Sequence, residues 1–502
     1  MIFTAPILIL LLALFVTKSM IVSLILGIIS ANSIYLFFKK ISLFKYTFSC
    51  FCSSIIRTIT TPSYQYALIF LFVLSLTINI LIELKIVESY QKIILSLIKK
   101  TKYLLVTILG SSWLFFIDDY LITLSLKNFF SPLLSEYGVK KETFSYFISS
   151  NAPCICTLIP MTSWTAIILT PINEAIKIKG FDILGYQTLL LAIPFFLYPL
   201  SSIITSWLSV LKGIRFEGVI PVVKPDIQNN KNHCINYNDI ALFLLPFFIM
   251  FIFIVYSIVS IKYTHSSVTI SEIIDSMNVS RIMSIGIVGG MFLLVGIVML
   301  TRSISPLIII KNIIKTADEM WHSFLILILV WTFSYCIGAI TNVDFLYSSP
   351  LYTYAKPFFP LIIMIIISFL SALTGSSWGA ICLTTPFLLF AGSYEEFVVY
   401  IGSAVSGALA GSHLSIFSDA ITVSATAANI DIIEGYRSQL PYTISAIISS
   451  LLLFIFFGFN YSTVNTCNSW MTHLVIVIAM NAFIFSMTHY VMKYFRARSS
   501  VG

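Results

Sequence analysis

Asp118 and Asp119 are consecutive acids inside a run, Leu114–Leu124, that otherwise reads as the middle of a membrane helix. A carboxylate at a bilayer centre costs about 2.5–3.5 kcal/mol on insertion scales, so two in a row need something to bind. A cation or a proton meets that need. Asp419 is a third acid in such a setting, within the small-residue segment Gly407–Thr422 that also holds His413, Ser415 and Ser418. A carboxylate and an imidazole can both exchange protons once burial and neighbours act on them. His413 and Asp419 are six positions apart, which is about 600° of helix and places them on different faces. A break near Gly411 would let them converge. A lone membrane histidine is more often a packing residue, so Asp419 is the stronger candidate.

Neutral oxygen donors accompany the acids. Thr374, Gly375, Ser376 and Ser377 form a small polar stretch within an apolar run. Glycine permits backbone geometry closed to other residues, and an unwound helix there would free carbonyls beside the hydroxyls for Na+ or a carboxylate. Close helix packing through small residues is the plainer alternative. In the first half, Asn151 precedes Pro153, and Pro160 precedes Thr162 and Ser163. Two prolines in one apolar segment point to a hairpin or broken helix, with a simple kink as the alternative. Asp118, Asp119 and Asp419 are the candidate ligands of a bound Na+ or proton. The hydroxyls, Asn151 and Gly375 would complete the coordination.

The elements that must position these residues are membrane helices. The 502 residues are 58% hydrophobic and 10% charged, with mean hydropathy +0.97. Lipid leaves only helices and closed barrels, and apolar runs of about 20 residues without alternation exclude a barrel. The expected fold is all-α: a polytopic integral membrane protein of about 12–14 spans, with two inverted structural repeats and re-entrant or broken helices. The net charge of +8 lies between apolar runs and orients the chain by the positive-inside rule rather than binding nucleic acid. Lys39, Lys40 and Lys45, with Lys493, Arg496 and Arg498, place both termini on the cytoplasmic side of a bacterial inner-type membrane. The partners expected are the lipid bilayer and a small cation or small organic solute, with a homodimer compatible. No cofactor is expected beyond transported Na+ or H+.

The chain divides into N-terminal spans (1–60), a first repeat (61–210), a polar linker (211–238), connecting spans (239–310), a second repeat (311–460), and a last span with a basic tail (461–502). Ser89–Lys100 and Lys311–Met320 read as amphipathic pieces suited to the membrane plane. The repeat is signalled by Gly-Ser-Ser-Trp, at Gly110–Trp113 and again at Gly375–Trp378. Its register is open, because Asp118-Asp119 could equally oppose Ser376-Ser377. Paired interrupted segments point to a transporter with its site at the repeat interface. No phosphate-binding loop motif occurs, so ATP hydrolysis is not expected. An intramembrane protease would want its acids in Tyr-Asp and Gly-x-Gly-Asp settings, which are missing, and no enzyme activity is expected.

These segments together resemble the NhaC-type sodium/proton antiporter family, within the larger ion transporter superfamily. Its Phe-Asp-Asp-Tyr-Phe-Asn-like run is matched by Ile117–Ile122, and its Ser-Thr-Ala-Ala-Pro and Ser-Ser-Trp block by Ser150–Pro153 and Thr162–Trp164. Thr374–Gly379, Gly411–Asp419 and Arg437–Tyr442 are similar to later motifs in the same order. Ile122 stands where the family has Asn, and Ser412 where it has an acid. The resemblance implies cation/proton exchange by alternating access. Relatives that move small organic anions or amino acids make a Na+- or H+-coupled carrier the alternative.

Overall fold

The computed structural model describes residues 5–17, 19–40, 43–84, 86, 101–181, 183–213, 237–264, 279–302, 305–340, 355–459 and 469–499. The amphipathic Ser89–Lys100, most of the 211–238 linker and the chain ends lie outside these residues. Every regular element among the described residues is a helix. Seven are long and apolar enough to cross a membrane, and ten if each of three bent pairs counts as one span.

The helices sort into two bundles by packing. One, the wall, consists of α1 (Ala5–Thr17), α2 (Met20–Phe38), α3 (Leu43–Thr60), α4 (Pro62–Glu83), α11 (Tyr237–Thr264), α12 (Val279–Arg302) and α13 (Pro306–Ile340). The other, the core, holds α5 (Thr101–Ser112), α6 (Asp119–Phe130), α7 (Lys141–Leu158), α8 (Ser163–Lys179), α9 (Gly185–Ala192) and α10 (Leu197–Leu211) from the first half. From the second half it takes α14 (Phe359–Thr374), α15 (Ser377–Cys382), α16 (Thr385–Leu388), α17 (Tyr394–Leu414), α18 (Asp419–Ala428), α19 (Ile432–Phe459) and α20 (Ser469–Ser499). Lys311–Met320 is not a separate interfacial helix. It continues directly into the following span as α13, which bends by 42° between Pro306–Trp321 and Phe324–Ile337.

α17 is the axis of the core bundle, buried from Glu396 to His413. In lipid, apolar side chains gain nothing by leaving lipid for one another, so close helix association relies on small residues and interhelical hydrogen bonds. α17 meets α14 that way. A Cβ at Gly407 or Gly411 would collide with the backbone carbonyls of Met364 and Ser368. Two hydroxyls of α14 then bond across the contact, Ser368 to the Gly407 carbonyl at 3.0 Å and Ser371 to the Ala408 carbonyl at 2.5 Å.

Apart from the 44° bend between α9 and α10, the core bundle is interrupted at four places: between α5 and α6, α7 and α8, α14 and α15, and α17 and α18. Each resumes behind an Asp, Ser or Thr whose side chain accepts from the first-turn backbone, satisfying N–H groups that a helix start leaves orphaned. Asp118 caps α6, accepting from Tyr120 N at 2.9 Å and Leu121 N at 3.2 Å. Thr162 caps α8 in a capping box with Thr165, where the chain turns by 55°. Ser376 caps α15 through Gly379 N at 3.1 Å, and Ser418 caps α18 through Ile421 N at 3.3 Å.

The two halves share this plan. The caps Asp118 and Ser376 are 258 positions apart, and Thr162 and Ser418 are 256 apart. Within each half, one break is stitched to the next helix start by an equivalent backbone bond. Ser163 N donates to the Ile117 carbonyl at 3.0 Å, and Asp419 N donates to the Gly375 carbonyl at 3.4 Å. The structural register therefore sets Asp118-Asp119 against Ser376-Ser377. The tetrapeptide copies are out of register, since Gly110 lies inside α5 while Gly375 ends α14 at φ +68°.

Candidate cation site between the bundles

A cavity of about 400 Å³ lies where the wall meets the interrupted helices. The core side presents Asp118 and Asp119, Thr374 to Gly379, and Asp419. The wall side presents Ser75, Ile78 and Asn79 from α4, and Glu319, Met320, Ile326 and Leu327 from α13. Among the described residues, no Lys, Arg or His lines it.

The acids arrive there because they occupy helix starts. Asp118 is the cap of α6, and Asp119 and Asp419 open the first turns of α6 and α18. The partial positive end of a helix dipole stabilises a carboxylate at this position, and lets an acid persist where lipid alone would exclude it. Asp118 is buried, Asp119 half-buried and Asp419 exposed. Both cap bonds of Asp118 use Oδ1, so the cap does not consume Oδ2. Carboxylates sharing one cavity repel unless a cation or proton sits among them. Among the described residues, no three His, Cys, Asp or Glu side chains close into a metal cage. The three aspartates thus line one cavity without forming a three-carboxylate chelate. Neutral oxygens of Thr374, Ser376 and Ser377 line the same cavity.

The other residues singled out from the sequence stand away from the cavity lining. His413 does not converge with Asp419. α17 continues through Leu414 before it breaks, which carries His413 into the core interior, where Nδ1 meets the Tyr198 hydroxyl at 2.6 Å. Its carbonyl accepts from Gln439 Nε2 at 2.9 Å, and Gln439 Oε1 accepts from Ser149 at 2.6 Å. Asn151 faces α10, donating to Ser206 at 3.2 Å and to the Phe147 carbonyl at 2.9 Å. The Thr162 hydroxyl, which accepts in the cap of α8, donates to the Cys156 carbonyl at 2.6 Å. Ser415 is buried at the end of α17, and Ser418 is occupied as a cap. Ser163 lies beside the Asp118 carboxylate. Asn151 and His413 tie helices together and Thr162 and Ser418 stand at breaks; the acids and the 374–377 stretch line the cavity.

Asn79 and Glu319 line the cavity and have no place among the sequence candidates. Asn79 Nδ2 donates to Glu319 Oε2 at 3.0 Å and to Thr316 Oγ1 at 2.9 Å. Asn79 is an amide deep in the apolar span Tyr64–Glu83, fourteen positions after Gln65 at its start, and that placement was a usable signal. Glu319 was hidden by the amphipathic pattern around it.

Residues 155–459, more than half of the chain, match the sequence model of the Na+/H+ antiporter family. That segment contains the 374–377 stretch and Asp419 and begins after Asp118-Asp119. The chain is also 22% identical over 381 residues to a Haemophilus influenzae protein described as uncharacterized, with 72% of each sequence covered. On the family match, this multi-pass membrane protein belongs to the Na+/H+ antiporter family, whose members exchange cations for protons.

Proposed function

We propose that this protein exchanges a monovalent cation, Na+ first among the candidates, for protons by alternating access, as an NhaC-type member of its family. The observation that carries this reading is that Asp118, Asp119 and Asp419 line a single cavity between two bundles, with no basic side chain among the described residues lining it. A carboxylate that holds either a proton or the cation, never both, couples the two fluxes, because each must leave before the other binds. The caps and cross-break bonds fix the acids on the core bundle. Movement of that bundle against the wall then carries the loaded site from one membrane face to the other. The distribution of Lys and Arg supports an inner-type membrane with cytoplasmic termini.

A second reading has one observation in its favour. At the start of α15, Ser376 and Ser377 bring hydroxyls and no acid to the cavity, and hydroxyl donors suit the carboxylate of a small organic anion. Three acids outweigh one such start, so cation exchange stands first and coupled anion carriage second. Proton flux in vesicles, triggered in turn by Na+, Li+, K+ and small organic anions, separates them. Flux with a cation alone supports exchange. Flux that requires an organic anion removes exchange in favour of the carrier.

A further inference from the structure

The cavity has acids on both sides, but they belong to different bundles. Asp118, Asp119 and Asp419 ride on the core, whereas Glu319 stands on α13 of the wall. Asn79 pins Glu319 Oε2 from α4, a helix of the same bundle, and is itself fixed to buried Thr316. Lys315 approaches the other carboxylate oxygen at 3.8 Å, with both side chains about half exposed. An exposed pair of this kind is weak and screened, so Glu319 keeps most of its negative field.

Glu319 also lies toward one face. At the far end of α4, fifteen residues or about 22 Å from Asn79, Tyr64 stacks on Trp331 at 4.5 Å and donates to Glu174 of α8 at 3.1 Å. The two bundles are joined there. At the Asn79 end, the Glu319 side chain is 46% accessible and lines the cavity.

We infer that Glu319, held by Asn79, is the cation-recruiting carboxylate of the wall and raises apparent cation affinity on one side of the membrane only. It does not travel with the three aspartates, so it can concentrate cations at the site only while the cavity opens past it. A charged cleft of this kind raises local counter-ion concentration. The inference rests on the exchange reading above.

The test measures proton flux against cation concentration in right-side-out and everted membrane vesicles, with Na+ as the probe and Li+ and K+ as alternates. Glu319→Gln should raise the KM about fivefold in one orientation, leave the other within about twofold, and keep the maximal rate in both. Glu319→Asp should restore most of the loss, and Asn79→Ala should shift the KM in the same orientation by less. About 1 M choline chloride should erase the difference between wild type and Glu319→Gln, because the field is screened. An equal shift in both orientations, a fall in maximal rate alone, or no shift at all overturns the inference while wild-type flux stands. No wild-type flux with any of the three cations removes the exchange reading and this inference with it.

Discussion

The two halves of the core bundle are alike in backbone and unlike in chemistry. Equivalent caps, Asp118 and Ser376, start equivalent half-helices, and equivalent backbone bonds tie Ile117 to Ser163 and Gly375 to Asp419. The residues they present differ. In the first half the acids sit at the first break and hydroxyls at the second. In the second half this order is exchanged, with Ser376-Ser377 at the first break and Asp419 after the second. The repeated architecture is therefore a positioning device, satisfied by any good cap, and the placement of charge is a separate choice made once in each half. A cavity built from both halves receives acid from each without two acid pairs in direct opposition.

If the chemistry resides in the acids and the hydroxyl breaks serve chiefly as scaffold, variants should rank accordingly. Asp419→Asn removes an attraction worth about 4 kcal/mol at close range, so exchange should fall about a hundredfold or more in reconstituted vesicles. Activity near wild type would make the second half purely structural. Gly375→Ala comes next. A side chain at φ +68° costs about 1–2 kcal/mol, and its Cβ would lie 2.7 Å from the Phe417 carbonyl. Thermal unfolding in detergent should show a clear drop. Gly110→Ala, in the other copy of the tetrapeptide, has helical geometry and open space around the new methyl. It should be neutral or raise stability by up to about 1 kcal/mol; equal losses at both glycines would contradict the register given above.

Smaller effects sharpen the same contrast. Ser376→Ala removes a cap and should cost about 1 kcal/mol of stability, with a moderate fall in exchange because the hydroxyl also faces the cavity. His413→Gln should cost about 1 kcal/mol through its bond to Tyr198, yet leave the exchange rate within about threefold of wild type. Loss of exchange there, in a protein that still folds, would return His413 to the mechanism.

The fold class was legible because lipid leaves few options and the length of the apolar runs selects one of them. The breaks were legible where their signals were local, as with Pro160 and Gly375. The break at Asp118 was not, because its apolar flanks read as one continuous helix, and the break expected near Gly411 falls after Leu414. Register was not, since Gly-Ser-Ser-Trp recurs for unrelated reasons, once as helix and once as a left-handed turn. The orientation of His413 depends on how far α17 runs before breaking, a matter of packing against Tyr198 some 215 positions away. Glu319 escaped notice because its amphipathic surroundings say surface, while its partner Asn79 is 240 positions distant.

The central claim is that cation and proton compete for the same carboxylates. Addition of Na+ to purified protein in weakly buffered detergent, with a pH indicator reporting proton release, tests it most directly. Wild type should release protons saturably as Na+ binds, and Asp119→Asn should release few or none. Saturable Na+ binding with no proton release from the wild type, or undiminished release from Asp119→Asn, would contradict the account.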